Sequence, residues 1–195
     1  MYDFNYHKPG SIDEAIQLFT GAEDGVYLAG GHTLLPSMKQ RLASPTDVID
    51  LAGIGGLSGI EDVDAVLEIG ALTAHDEVAT SSVVQSEIPA LAELASLIGD
   101  AQVRNRGTIG GSVSNSDPAA DYPAGVLGLG AEIVTNKRSI AADDFFTAMF
   151  ETALEEGELL TKIKFPKPEA AAYVKFPNPA SKVSHAESTA QEAKH

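Results

Sequence analysis

The spacing of apolar positions changes several times over the first fifty residues, and each change marks an element. Residues 2–7 read as an extended stretch closed by the Pro9-Gly10 turn. Behind Ser11, Ile12, Ala15, Ile16 and Phe19 recur at helical spacing, and Glu14 stands three positions after Ser11 in the form of a capping box. The glycines of segment 21–25 end that helix, and 26–29 is a short apolar run bounded by glycines, as a buried strand is. A helical period resumes over 34–42, and 47–51 supplies a third strand. The order predicts a small βαβαβ lobe over residues 1–53.

From residue 54 the texture changes. Segments 57–60 and 65–71 read as strands on either side of an Asp-rich turn, an antiparallel ribbon rather than another parallel crossover. Helices are predicted over 76–85 and 89–98, followed by a polar segment at 102–106. A further helix is predicted over 118–129, with Pro118 in its first turn where a missing N–H costs nothing. Strands at 132–135, 159–165 and 173–176 complete a larger, mixed and antiparallel lobe over 54–179, so the fold class is α+β. Residues 180–195 carry almost no large apolar side chain, and the pattern predicts a mobile or loosely helical tail.

Composition narrows the function. The 195 residues are 44% hydrophobic, enough for one core or two small lobes packed together. No run approaches the roughly 20 apolar residues of a membrane helix, and the first residues lack a signal peptide's regions, which predicts a cytoplasmic protein. There is no cysteine, so any iron–sulfur cluster or thiolate metal site must sit on a partner. The formal net charge is −15, from 28 acidic residues against 13 Lys and Arg, which opposes binding to nucleic acid and to anionic membranes. A chain this acidic has few cations for an anionic cofactor, so backbone N–H groups are the better candidates to hold one.

Two glycine-rich turns carry that chemistry. Ala29-Gly30-Gly31-His32-Thr33 lies between an apolar strand and an amphipathic helix, where unpaired amides favour negative charge. Taken alone, such a Gly-Gly pair is more often just a turn. Thr108-Ile109-Gly110-Gly111 is followed by Ser112, Ser114 and Asn115, a denser set of donors, and Asp121 suits a sugar hydroxyl. Asp117 reads equally as a cap before Pro118 or as a ligand. Neither turn matches a Rossmann fingerprint or an NTPase phosphate loop. His32 and His75 have no second ligand at helical spacing and read as turn or surface residues. Asp143-Asp144 reads as a helix start, and Arg104 and Arg106 either neutralise phosphate or meet the acidic surface.

With Met38-Lys39, segment 102–111, segment 115–123 and Glu156-Gly157-Glu158-Leu159-Leu160, these turns stand in one order along most of the chain. In that order they resemble the FAD-binding medium subunits of molybdenum hydroxylases, the carbon monoxide dehydrogenase branch above all. The resemblance runs from Tyr2 to about Pro179 and implies the two-lobed, vanillyl-alcohol-oxidase-like fold. It implies FAD as cofactor, with the backbone of 29–33 and 108–111 on the pyrophosphate. Asn115 and Asp121 would then contact the phosphate or ribose, with Leu160 and Lys175 near the flavin ring. The implied partners are a small [2Fe–2S] subunit and a large molybdenum-cofactor subunit, with electrons leaving FAD for a quinone or another acceptor. Peripheral membrane contact would come only through that complex. Medium subunits of this family continue into a C-terminal domain, which the match here does not reach. A stand-alone flavin oxidoreductase and an inactive flavin-binding remnant are the alternative readings.

Overall fold

The computed structural model describes residues 1–177 and 184–191. Strands β1 (Asn5–His7), β2 (Gly25–Leu28) and β3 (Asp47–Asp50) form a parallel sheet in the order β1-β3-β2, connected through helices α1 (Ile12–Gly21) and α2 (Leu34–Lys39). Helix α1 starts where Ser11 predicts. The Ser11 hydroxyl accepts the Glu14 amide at 3.2 Å, while the Glu14 carboxylate accepts from Gly10 rather than from Ser11. Ala15 of α1 and Ile49 of β3 are fully buried in a small core that also contains Leu57 and Leu159, from beyond this sheet.

After a 3-10 turn at Leu51–Gly53, strands β4 (Ile60–Val63) and β5 (Val66–Gly70) form the expected antiparallel ribbon. Its first strand begins at Ile60 and not at 57, because Leu57 is drawn into the small core. Glu61 and Asp62 are tolerated in β4 because it is an edge strand with an exposed face. The helical segment holds α3 (His75–Thr80), α4 (Ser82–Glu87), α5 (Pro89–Ser96), α6 (Ala101–Arg104), α7 (Ile109–Asn115) and α8 (Asp121–Gly128).

Three expectations are corrected here. The helix expected over 76–85 breaks at Ser81, whose backbone is extended and whose hydroxyl caps α4. The polar segment 102–106 includes most of α6, a single turn capped by Asp100 and too short to show periodicity. Helix α8 starts at Asp121, not Pro118, because Asp117 closes a separate turn: its carboxylate accepts the Ala119 amide and its carbonyl the Ala120 amide.

The remaining elements are β6 (Glu132–Thr135), β7 (Ser139–Ala141), α9 (Ala142–Phe145), β8 (Phe146–Ala148), β9 (Glu151–Thr152), β10 (Leu160–Pro166), β11 (Ala171–Pro177) and β12 (Ser184–Gln191). Strands β4-β5-β10-β6-β7 form a five-stranded antiparallel sheet in that order. Central β10 obeys the period of two. Ile163 and Phe165 are fully buried, each worth roughly 1.5–3 kcal/mol of burial, while Lys162 and Lys164 turn to the other face and pair with Glu68 of β5. The main core lies between this sheet and helices α3, α4, α5, α7, α8 and α9.

The tail expected at 180–195 is corrected in part. Residues 184–191 form β12, antiparallel to β11, whose ladder satisfies the backbone without requiring large apolar side chains. Residues 180–183 and 192–195 lie outside the described residues.

Candidate functional site

A cleft of about 600 Å³ opens between the end of the parallel sheet and the start of α7, within the range of roughly 300–1,000 Å³ usual for cofactor sites. Its walls include Gly30 and Gly31 from one side and Gly107, Gly110 and Gly111 from the other. The two glycine segments touch. A Cβ on Gly30 would lie 2.0 Å from the Arg106 carbonyl oxygen and 2.8 Å from the Gly107 Cα, so only glycine permits this approach. Gly31 has φ +76, a conformation that other residues reach only with strain.

The two segments differ in what they offer. Among the described residues, the amides of Gly30, Gly31, His32 and Thr33 have no protein acceptor. The last three of the second segment are engaged: Ile109 donates to Thr73, Gly110 to Ala71 and Gly111 to the Thr108 hydroxyl, at 3.0, 2.9 and 3.2 Å. What reads in the sequence as a second turn of open amides is thus the closed first turn of α7, capped by Thr108. It contributes a wall without Cβ atoms, followed by Ser112, Ser114 and Asn115, which also line the cleft.

Of the residues expected to bind the cofactor, Ala29, Gly30, Gly31, His32, Thr33, Thr108, Gly110, Gly111, Asn115 and Leu160 line this one cleft. Three do not. The Ile109 side chain is fully buried in the main core, pointing away from the cleft as its position on α7 dictates. Asp121 and Lys175 form a largely buried ion pair at 2.6 Å, which the Tyr173 hydroxyl joins at 2.6 Å from Asp121, while Lys175 also donates to the Leu97 carbonyl. Strand β11 turns Tyr173 and Lys175 inward against α8 and leaves Val174 and Phe176 exposed. Asp117 both closes its turn and lines the cleft. Arg104 donates to the carbonyls of Ile98 and Gly99, just beyond the end of α5, in neither of the roles expected for it.

Three cleft residues carry roles that the sequence does not announce. Tyr27 stacks on Phe19 with ring centroids 4.7 Å apart, and its hydroxyl donates to the Gly157 carbonyl at 3.1 Å. Burial pushes its phenol up to about 12. Glu158, its side chain fully enclosed, accepts from Arg138, from the Thr135 hydroxyl and from the Glu155 amide. Burial opposes its ionisation, but these bonds outweigh it and hold the carboxyl at about 2. His75, expected on a turn or at the surface, is 5% exposed and lines the cleft. Burial pushes its imidazole down to about 4, against the charge of nearby Asp121 and with a small addition from His32. The signal available in the sequence was the apolar period of α3, which places His75 on the face of Val78 and Ala79.

Fold and cleft define a two-lobed α+β domain with a cofactor-sized cleft edged by main-chain donors. Residues 2–168 match the FAD binding domain in molybdopterin dehydrogenase. The chain is similar to the carbon monoxide dehydrogenase medium chains of Hydrogenophaga pseudoflava and Afipia carboxidovorans. Each is 42% identical, over 84% and 85% of this chain and 58% and 59% of the relative. The solved structure of carbon monoxide dehydrogenase from Hydrogenophaga pseudoflava, in a form lacking the Mo-pyranopterin moiety, superposes with a TM-score of 0.89. Sequence identity there is 40%, covering 94% of this chain and 67% of that one.

The chain belongs to the family of FAD-binding domains of molybdopterin dehydrogenases, oxidoreductases with FAD as cofactor. The residues present fit that group: a bend that a Cβ would fill, four unpaired amides, and a cleft of cofactor size. No helix among the described residues is long and apolar enough to cross a membrane.

Proposed function

We propose that this chain holds FAD for a molybdopterin-dependent dehydrogenase of the carbon monoxide dehydrogenase kind. It would receive electrons from a [2Fe–2S] partner, itself reduced by a molybdenum-cofactor subunit, and hand them to a quinone or another acceptor. The observation that carries the reading is the contact of two glycine segments, remote in sequence, at one cleft where four amides have no protein acceptor. FAD supplies the exchange between one- and two-electron steps; the protein binds, orients and shields it.

The amides of Gly30, Gly31, His32 and Thr33 would hold the diphosphate in a cleft where the net charge of −15 offers little cationic help. Ser112, Ser114 and Asn115 would add side-chain donors, while Leu154, Leu159 and Leu160 line the cleft as an apolar wall that would exclude water from a bound cofactor. The absence of cysteine supports an iron–sulfur centre on a separate subunit. The assembly with partners is supported by the names of the similar medium chains, of whose length this chain spans 58% and 59%.

The test is to reconstitute the purified chain with FAD, record its visible spectrum and melting temperature, and co-express it with the two partner subunits. A yellow protein that melts higher with FAD and co-purifies with both supports the proposal. A colourless protein with no gain in melting temperature overturns it, since a ligand that binds only the native state must raise stability.

A further inference from the structure

We infer that His75 is a cofactor-contact residue: its Nε2–H, set by the fold in a single tautomer, donates a hydrogen bond to a diphosphate oxygen of the bound dinucleotide. The inference rests on the FAD reading of the cleft and adds to it a side-chain donor.

Position comes first. His75 opens α3, and its amide donates to the Gly107 carbonyl at 3.0 Å while Ala74 bridges to Thr108, so the ring is fixed against the second glycine segment. Its Nε2 faces Gly107, since a Cβ built there would lie 2.6 Å from that atom. Gly107 is in turn the residue against which Gly30 packs. The Nε2 edge is therefore directed to the corner of the cleft where the four unpaired amides begin.

The other ring nitrogen fixes the tautomer. Among the described residues Nδ1 is buried without a hydrogen-bond partner, beside the Tyr122 ring at a centroid distance of 5.3 Å. A buried N–H without an acceptor is a costly and rare arrangement, whereas an unused lone pair is tolerated better. The single proton of the neutral ring accordingly resides on Nε2. A neutral ring is what burial enforces here, so the donor is present without a charge that the enclosed site would have to solvate. The Tyr122 hydroxyl, also buried without a partner, accounts for no bond to the ring, which leaves the cleft as the place where the imidazole finds its partner.

Two variants of similar length separate donation from packing. His75→Gln keeps a side-chain N–H near the Nε2 position, and His75→Met fills similar space with none. FAD dissociation constants are measured on the purified full chain by flavin fluorescence, with ³¹P spectra of bound FAD and ¹⁵N-resolved histidine spectra of wild type with and without FAD. His75→Met is expected to bind FAD about tenfold more weakly, and His75→Gln to stay within about threefold of wild type, as one hydrogen bond predicts. The ³¹P resonances should move in His75→Met and hold in His75→Gln. Wild type should show the Nε2–H tautomer, with that nitrogen shifting when FAD is added.

A His75→Met protein that binds FAD as wild type does, or an Nδ1–H tautomer, overturns the inference and leaves the FAD reading intact. Wild-type protein that binds no FAD overturns both.

Discussion

The hydroxyl of Tyr27, on the middle of β2, donates to the carbonyl of Gly157, in the turn that leads into β10, at 3.1 Å. One hydrogen bond thus ties the parallel sheet to the antiparallel one beside the cleft that both line. Phe19 stacks on Tyr27 from one side and lies 3.5 Å from where a Cβ on Gly157 would sit, so the clamp is packed as well as bonded.

We predict that Tyr27→Phe, which keeps the ring and removes the bond, lowers stability by about 1 kcal/mol. FAD affinity should fall severalfold, because one of the contacts that hold the two walls of the cleft together is lost. Urea denaturation and FAD titration of the same preparation decide this; unchanged affinity would show that the lobes are fixed by other contacts.

Gly30→Ala places a methyl group against the Arg106 carbonyl, 2.0 Å from its oxygen. The backbone must shift on one side, at a cost of about 1–3 kcal/mol. FAD binding is expected to weaken by about tenfold or more, since the same shift displaces the amides that follow. Gly31→Ala acts differently, through the φ of +76, with a strain of about 1–2 kcal/mol. Melting curves and FAD titrations of both variants test the pair.

Stability should fall in two steps as the solution is acidified. His75 ordinarily titrates near 6.5 and is held at about 4 in the fold. Between those values the unfolded chain binds more protons, so stability is full above 6.5 and declines towards pH 4, by on the order of 3 kcal/mol. Glu158 ordinarily titrates at 4.5 and is held at about 2. Its contribution is present above 4.5 and is lost as pH falls towards 2. His75→Gln should flatten the upper limb of the stability–pH curve, and Glu158→Gln the lower. Parallel curves for wild type and His75→Gln between pH 4 and 6.5 would contradict the assignment.

Lys175 provides a test of where the cleft ends. Its ammonium and the Asp121 carboxylate are 12% and 8% exposed and 2.6 Å apart. Lys175→Met removes one ion-pair partner from a buried carboxylate and should lower stability by about 1–3 kcal/mol. FAD affinity and the flavin spectrum should stay the same within about threefold. Faster amide exchange in β11 would locate the damage; a shifted spectrum would instead return Lys175 to the flavin.

What was legible in the sequence was what neighbouring residues decide. Ser11 and Glu14 cap α1 through contacts within four positions, and the Gly30-Gly31 bend shows itself through residues that tolerate close approach and positive φ. The apolar run of β10 and the switch from parallel to antiparallel pairing follow from local period as well. What was not legible depends on partners far along the chain. The amides of Ile109 and Gly110 look available until Thr73 and Ala71 are seen to accept them. Lys175, expected near the flavin ring, is found paired with Asp121 because β11 turns its polar side inward. His75 reads as a surface residue until the Ala74–Thr108 bridge brings the second glycine segment over it.

The engaged amides of the second glycine segment give the cleft one wall that is finished before any cofactor arrives. The bend at residues 30–33 is the complementary edge, where Gly30 is pressed on the Arg106 carbonyl while the peptide groups that follow keep their donors out of the protein's own ladder. The socket thus divides its labour: one glycine segment spends its hydrogen bonds on the fold, and the other keeps them for the cleft.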